Sequence, residues 1–520
     1  MSALRSTPSD VSSARPGRRW PVHLLEDRCN QVLIGLIVIG AVLRFSTLGL
    51  QSFDYEEVVV ARIVHGDLLQ TVTSAFHERT PPTYYVLAWS WTRAFGVHEV
   101  GLRSLSALLG TLTIPAAYAV GTALARRSAG LLAAALVAVN PMLVWYSQYA
   151  RAYVLLVLFA TVGLYFFARA LREPAGRALD WWAVTSILAL LSHYFAGFLV
   201  VPEAAWLLWM PRSRRAVAPR VAAIAAFGIA MIPLIFFQAA THDLAEDYAG
   251  RPIAGRLFRT LGSFAAGPQV QLGSSTLVGR LGILAAASSA VALLYAAFVL
   301  ARRARLSEFH RTLVVGGVGL IALILPVLLA TVEIDYLLPR YSIAVVVPLI
   351  MVVAVGLAGG SSRAMGFAAA AALSLIFAGV VVASNLSTST RLPASRDVAA
   401  AIGPAQGPRV LVVPKSVSKT LVYYLRYGRA QLIRRGGHGS KVTLEPNKVL
   451  RVSEIVAVAD SSRLMAPSPG FRLVSHRRVD RFWVSSYRSR TVRPITIRKL
   501  DEWRGGHGAV LTDRARAQFT

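Results

Sequence analysis

The sequence predicts a polytopic α-helical membrane protein of about eleven spans with a small α/β domain at its C-terminal end. Three observations predict it. The 520 residues are 55% hydrophobic and only 16% charged, where soluble domains run at roughly 45–50% and about 25%. Apolar runs of about 18 or more residues recur along the first three quarters, long enough to cross a bilayer. Beyond Pro393 the pattern changes to short apolar runs, read as strands at Arg409–Val413, Glu454–Ala459, Phe471–Ser475 and Phe482–Tyr487, with a helix over Ser418–Tyr427.

Charge placement orients the spans. Arg5, Arg15, Arg18, Arg19 and Arg28 precede the first apolar run, Val32–Arg44, which lacks a small-residue cleavage site and reads as a retained anchor. Basic flanks stay cytoplasmic, so residues 1–31 form a cytoplasmic segment and the loop 49–100 lies outside. Further spans follow at Leu102–Leu124, Leu131–Tyr146, Tyr153–Ala170, two within Trp181–Met210 around a tip at Ser192–Phe195, then Val221–Phe237, Leu281–Leu300, Leu313–Val332, Tyr341–Leu357 and Met365–Val382. Inner returns are marked by Arg126-Arg127, Arg169-Arg172-Arg177, Arg212–Arg220, Arg302–Arg311 and Arg363. The transmembrane domain is thus 32–385, and 386–520 is an extracytoplasmic domain with a tail.

That last part holds 25 Lys plus Arg against 8 Asp plus Glu, so +17 of the formal +29 sits there. Such a domain favours anionic head groups or an anionic envelope polymer, and its membrane tether argues against nucleic acid. The single cysteine, Cys29, excludes an intramolecular disulfide and a cysteine zinc cluster. No internal repeat, P-loop or dinucleotide fingerprint is present.

The outer loops collect the chemistry. Asp54, Glu56 and Glu57 follow the first span, and carboxylates this near hydrocarbon are costly and usually functional. The same loop carries His77, Glu78, Arg79, Tyr84 and Tyr85; the next outer turns carry Arg151, then His193 and Tyr194, then Asp335, Tyr336, Arg340 and Tyr341. Any one Tyr or Arg at an interface is ordinary; their convergence on one side is the stronger signal. A carboxylate can take the proton of an attacking hydroxyl, and Arg340 or Arg151 can hold a leaving phosphate by planar bidentate contacts.

In order, these pieces resemble the GT-C superfamily of integral membrane glycosyltransferases, nearest the bacterial relatives of the protein O-mannosyltransferases and of the lipid A aminoarabinose transferase. The first span is followed by Tyr55-Glu56-Glu57, then Glu78-Arg79-Thr80-Pro81-Pro82-Thr83-Tyr84-Tyr85, Leu102–Leu108, Asn140-Pro141 leading to Ser147–Tyr153, His193-Tyr194-Phe195 and Pro339-Arg340-Tyr341. The resemblance spans about residues 33–385. It implies an enzyme of a bacterial plasma membrane that moves a sugar, with inversion, from a polyprenyl-phosphate donor to an envelope acceptor, the lipid tail lying on apolar span faces. The family's Asp-Glu pair aligns onto Glu56-Glu57, so Glu stands where Asp is expected, with Asp54 two residues earlier able to take the role; the family's Glu in the turn before Arg151 is here Tyr149. Glu56, Asp54 and Glu57 are the catalytic candidates, and Glu78, Tyr84, Arg151, His193, Tyr194, Arg340 and Tyr341 the substrate-binding ones. No cofactor is required; a divalent metal would draw on Glu78 with His77 or His242, a set without metal-motif spacing. Two other readings stay open, a catalytically inactive member that binds lipid-linked sugar and a transporter or flippase of lipid-linked solutes.

Overall fold

A computed structural model describes residues 27–173, 176–210, 214–240, 252–332, 336–405, 407–425, 431–433, 449–460, 462, 467–503 and 508–512. Most of the cytoplasmic segment, His242, Asp335 and the tail beyond 512 lie outside the described residues.

The helices run α1 (Arg28–Phe45), α2 (Tyr55–Ile63), α3 (Leu68–Ala75), α4 (Thr83–Phe95), α5 (Glu99–Leu124), α6 (Arg127–Val139), α7 (Pro141–Ser147), α8 (Tyr153–Ala170), α9 (Arg177–Ser192), α10 (Gly197–Trp209), α11 (Arg214–Ala240), α12 (Ile253–Ala266), α13 (Leu277–Arg302), α14 (Ser307–Thr331), α15 (Val346–Ala358) and α16 (Arg363–Leu386). Among the described residues seven are long and apolar enough to cross a membrane: α1, α5, α8, α11, α13, α14 and α16; α6 and α7 together make an eighth. Two shorter apolar helices, Tyr194–Trp209 and Ile343–Ala358, stand where further spans were expected. The stretch read as two spans does divide, into α9 and α10, with the break at the tip His193–Ala196. Large apolar side chains such as Val291, Leu294 and Leu375 remain exposed, the surface a bilayer covers.

The expected span at Leu131–Tyr146 is bent by 58° between α6 and α7. Pro141 has no N–H to give to Val137, so the turn leaves carbonyls without helical partners. Arg44, fully buried in α1, supplies them, donating to Val137 O at 3.0 Å and Ala138 O at 2.7 Å, and to Ser147 Oγ at 3.2 Å. Asn140 caps the new helix by accepting from Leu143 N at 3.0 Å. An arginine inside the first span thereby locks the turn from which Tyr149 and Arg151 hang.

At the opposite end of the helices, four arginines cap helix C-termini: Arg311 donates to Leu124 O at 3.1 Å, Arg172 to Ala123 O at 3.3 Å, and Arg126 and Arg303 to Ala358 O and Gly359 O. Close packing of α13 on α15 depends on Gly356, where an added Cβ would stand 2.4 Å from Ala296 Cβ and 2.5 Å from its Cα. Gly356→Leu is expected to cost about 1–3 kcal/mol of stability by overpacking, read as a lower melting temperature of the detergent-solubilised protein.

Past α16 the chain forms α17 (Ser395–Ile402), β1 (Arg409–Pro414), α18 (Lys415–Tyr424), β2 (Gln431–Ile433), β3 (Val449–Ala459), β4 (Arg472–Val479), β5 (Phe482–Thr496), α19 (Ile497–Trp503) and β6 (Gly508–Thr512). The sheet order is β2-β6-β1-β3-β5-β4; β1 runs parallel to β3 and the other pairs are antiparallel. β1 is buried on both faces: Leu411 and Val413 pack with Val398 and Leu421, while Val410 and Val412 pack with Tyr487 and Leu500. That is why it reads as a continuous apolar run.

Candidate functional site

The acids sit where the first span gives way to α2. Asp54 is the N-cap of that helix, in extended backbone, so Glu56 and Glu57 fall in its first turn. Adjacent helical residues point about 100° apart, and the two glutamates part company accordingly.

Glu57 is fully buried and turned into the protein. Its carboxylate accepts from Arg103 Nε (2.7 Å) and Nη2 (2.6 Å), from Ala150 N (3.0 Å) and from Asp54 N (3.0 Å). Arg103 spends its other donors on Leu48 O and Gln51 O, both at 2.8 Å, and Ser52 O at 2.9 Å. With four donors on one carboxylate, Glu57 has no room for substrate, and its geometry is that of a residue holding the loop.

Asp54 and Glu56 turn the other way and stay partly exposed. Asp54 Oδ2 accepts from the Tyr149 hydroxyl at 2.6 Å. Burial raises its pKa, the Tyr149 hydrogen bond opposes the rise, and the neighbouring Glu56 and Glu57 add to it; the net shift is upward. Glu56 lies between two guanidiniums, Arg340 Nη1 at 3.1 Å from Oε1 and Arg151 Nε at 3.4 Å from Oε2. Burial raises its pKa as well, but the charges of Arg151, Arg340 and Arg79 outweigh burial and hold the carboxyl below its usual range. The two acids therefore differ: Asp54 is shifted up and retains a proton more readily, while Glu56, between two guanidiniums, is shifted down and anchors them.

The remaining sequence candidates divide between the site and its wall. Arg151 reaches Tyr85 Oη at 3.0 Å, and Arg340 lies over the Tyr341 ring at 5.2 Å. His193 is buried, with its ring between Tyr153 (5.3 Å) and Phe195 (4.8 Å); burial, and then Arg151 and Arg340, push its pKa down to about 3, so it is a neutral imidazole. The Tyr194 hydroxyl donates to Gln238 Oε1 at 2.9 Å, and Tyr84 is buried with its hydroxyl 2.8 Å from Ser106 Oγ; both serve packing. Glu78 is half-buried, and its neighbour His77 faces Thr73 O at 2.9 Å. Among the described residues no group of three or more His, Cys, Asp or Glu is placed to hold a metal.

A cavity of about 350 Å³ opens at Arg340. Arg256 and Arg259 of α12 line it, together with Tyr146, Pro268 and Leu338. Both arginines lie between the expected spans Val221–Phe237 and Leu281–Leu300 and are not among the candidates named from the sequence. The signal was present: Ile253, Leu257, Leu261 and Phe264 are spaced by four, four and three, the mark of an amphipathic helix.

Residues 79–237 match the model of the dolichyl-phosphate-mannose-protein mannosyltransferase family. No curated protein sequence matches the chain. Among solved structures, ArnT from Cupriavidus metallidurans in the apo state superposes with a TM-score of 0.57 at 14% identity, over 88% of this chain and 98% of that one. The same protein bound to undecaprenyl phosphate gives 0.55 at 14% identity, over 87% and 97%. At that identity the likeness is one of fold. In its partial match to the mannosyltransferase family and in its ArnT-like fold, the chain resembles the GT-C superfamily of membrane glycosyltransferases, as its ordered motifs implied.

Proposed function

We propose that this protein is a membrane glycosyltransferase that moves a sugar from a polyprenyl-phosphate donor to an envelope acceptor at the outer face of the plasma membrane. The observation that carries the reading is that Arg340 lines a cavity with Arg256 and Arg259 and is ion-paired to Glu56, which Arg151 also meets and which shares the Tyr149 hydroxyl with Asp54. The binding of undecaprenyl phosphate by ArnT, whose fold is similar, supports the choice of donor.

In this mechanism the donor phosphate lies in the cavity against Arg340, Arg256 and Arg259, which neutralise the charge that grows as it leaves. Asp54 takes the proton of the acceptor hydroxyl as its oxygen bonds to the anomeric carbon and the carbon–phosphate-oxygen bond breaks. A single displacement of this kind inverts the anomeric centre. Asp54 suits the base role better than Glu56, the nearer match to the family motif, because its pKa is raised rather than lowered. Glu56 instead sets the positions of Arg151 and Arg340.

Native mass spectrometry tests the donor site. The wild type is expected to retain undecaprenyl phosphate, and Arg256→Ala to weaken it at least tenfold, since a guanidinium–phosphate contact is worth about 1.5–3 kcal/mol. Equal retention by both would place the phosphate elsewhere.

A pH profile tests the base. The deprotonated Asp54 is the active form, so turnover rises with pH through its raised pKa. Tyr149→Phe removes a hydrogen bond that favours the charged form, so the acid limb is expected to move to higher pH. A limb that stays in place would assign it to another group.

The same geometry keeps a second reading in view. A glutamate held anionic by two arginines, with Tyr149 where the family carries Glu, also suits a member that binds lipid-linked sugar without transferring it. Such a protein would retain the donor and never release its sugar. The eleven crossings and the outside position of 386–520 belong to this proposal, as does a role for that domain on anionic envelope polymer or head groups. Exposed Arg472, Arg477, Arg478, Arg481, Arg490 and Arg493 support the last.

A further inference from the structure

The stretch from Leu48 to Asp54 forms neither helix nor strand, so backbone groups that no turn pairs must find partners among side chains. Arg103 supplies one set from within the membrane domain, at Leu48 O, Gln51 O and Ser52 O. The C-terminal domain supplies the other. The Tyr424 hydroxyl, at the end of α18, accepts from Phe53 N at 2.6 Å and donates to Glu99 Oε1 at 2.7 Å. Arg396 of α17 donates its backbone N–H to Ser52 Oγ at 3.0 Å and its guanidinium to Gly49 O at 3.3 Å and Glu99 Oε1 at 3.2 Å. Lys419 Nζ sits 3.7 Å from the centre of the Tyr55 ring.

One peptide unit is thus gripped from both sides. Ser52 O is held by Arg103 and Phe53 N–H by Tyr424, and the peptide is planar, so fixing both ends fixes its orientation. Asp54 follows directly. We propose that the C-terminal domain is a working part of the site, and that Tyr424 is a positioning residue that sets the Asp54 carboxylate by pinning the Ser52–Phe53 peptide. The catalytic consequence rests on the transferase reading above; the pinning does not.

The test is hydrogen–deuterium exchange and donor turnover on the full-length protein, comparing wild type with Tyr424→Phe, which keeps the ring and removes the hydroxyl. Amides in residues 49–57 are expected to exchange about tenfold faster, the size of effect one lost hydrogen bond gives, while α5 and the β1–β3 ladder stay unchanged. Turnover of a polyprenyl-phosphate sugar is expected to fall tenfold or more with the donor KM unchanged. Arg396→Ala, which removes the guanidinium contacts to Gly49 O and Glu99 Oε1 and keeps the backbone N–H on Ser52 Oγ, is the second variant should the first accumulate poorly, with faster exchange expected at the start of the same loop and the same fall in turnover. Unchanged loop exchange overturns the proposal, and so does a loosened loop with wild-type turnover. A wild type that never turns over donor, with a loop that loosens in the variant, removes the transferase reading and leaves the positioning role supported.

Discussion

Asp54→Asn is expected to lower sugar transfer by about 10²–10⁴-fold, the contribution of a positioned general base, while binding of polyprenyl phosphate persists. The amide keeps the shape and still accepts from the Tyr149 hydroxyl, now 2.6 Å from Asp54 Oδ2, but it cannot take a proton. The cavity at Arg256, Arg259 and Arg340 is untouched by the change. Glu56→Gln should fail differently. It removes the anion that Arg151 and Arg340 share, so both cations shift and the phosphate is held less well. A kcat loss for Asp54→Asn and a combined kcat and donor-affinity loss for Glu56→Gln, measured on purified protein, would separate base from anchor.

The largest effect on stability is expected at Arg103. Arg103→Ala leaves Glu57 fully buried without its cation and leaves three carbonyls, at Leu48, Gln51 and Ser52, without the donor they now share. Removing one partner of a buried ion pair costs about 3–5 kcal/mol because the other charge remains buried. The variant should be recovered poorly as a monodisperse peak in size-exclusion chromatography. Arg103→Lys keeps the charge but loses the planar fork that contacts Glu57 through two nitrogens, and should fall between.

Much of the architecture was legible in the sequence because apolar run length and arginine placement are local signals. The strand at Arg409–Pro414 and the break at the His193 tip fell where the pattern put them, while the strand expected at Phe482–Tyr487 runs on to Thr496. The span count was less legible: α9 and the helices at Tyr194–Trp209 and Ile343–Ala358 are short, and α6 is broken from α7 at Asn140-Pro141. The site was legible as a cluster and illegible in its roles. Glu56 and Glu57 are the same residue type one position apart, and only the phase of α2 sends one to Arg103 and the other to Arg340. Tyr424 lies 371 residues from Phe53 in the chain, and no local pattern marks so distant a contact.

The most direct test is lipid mass spectrometry of cells in which the protein is deleted and then restored as wild type or as Asp54→Asn. The proposed function predicts that a polyprenyl-phosphate sugar accumulates in the deletion, returns to the parental level with the wild type, and stays high with Asp54→Asn. Equal donor levels in all strains, or full clearance by Asp54→Asn, would contradict it.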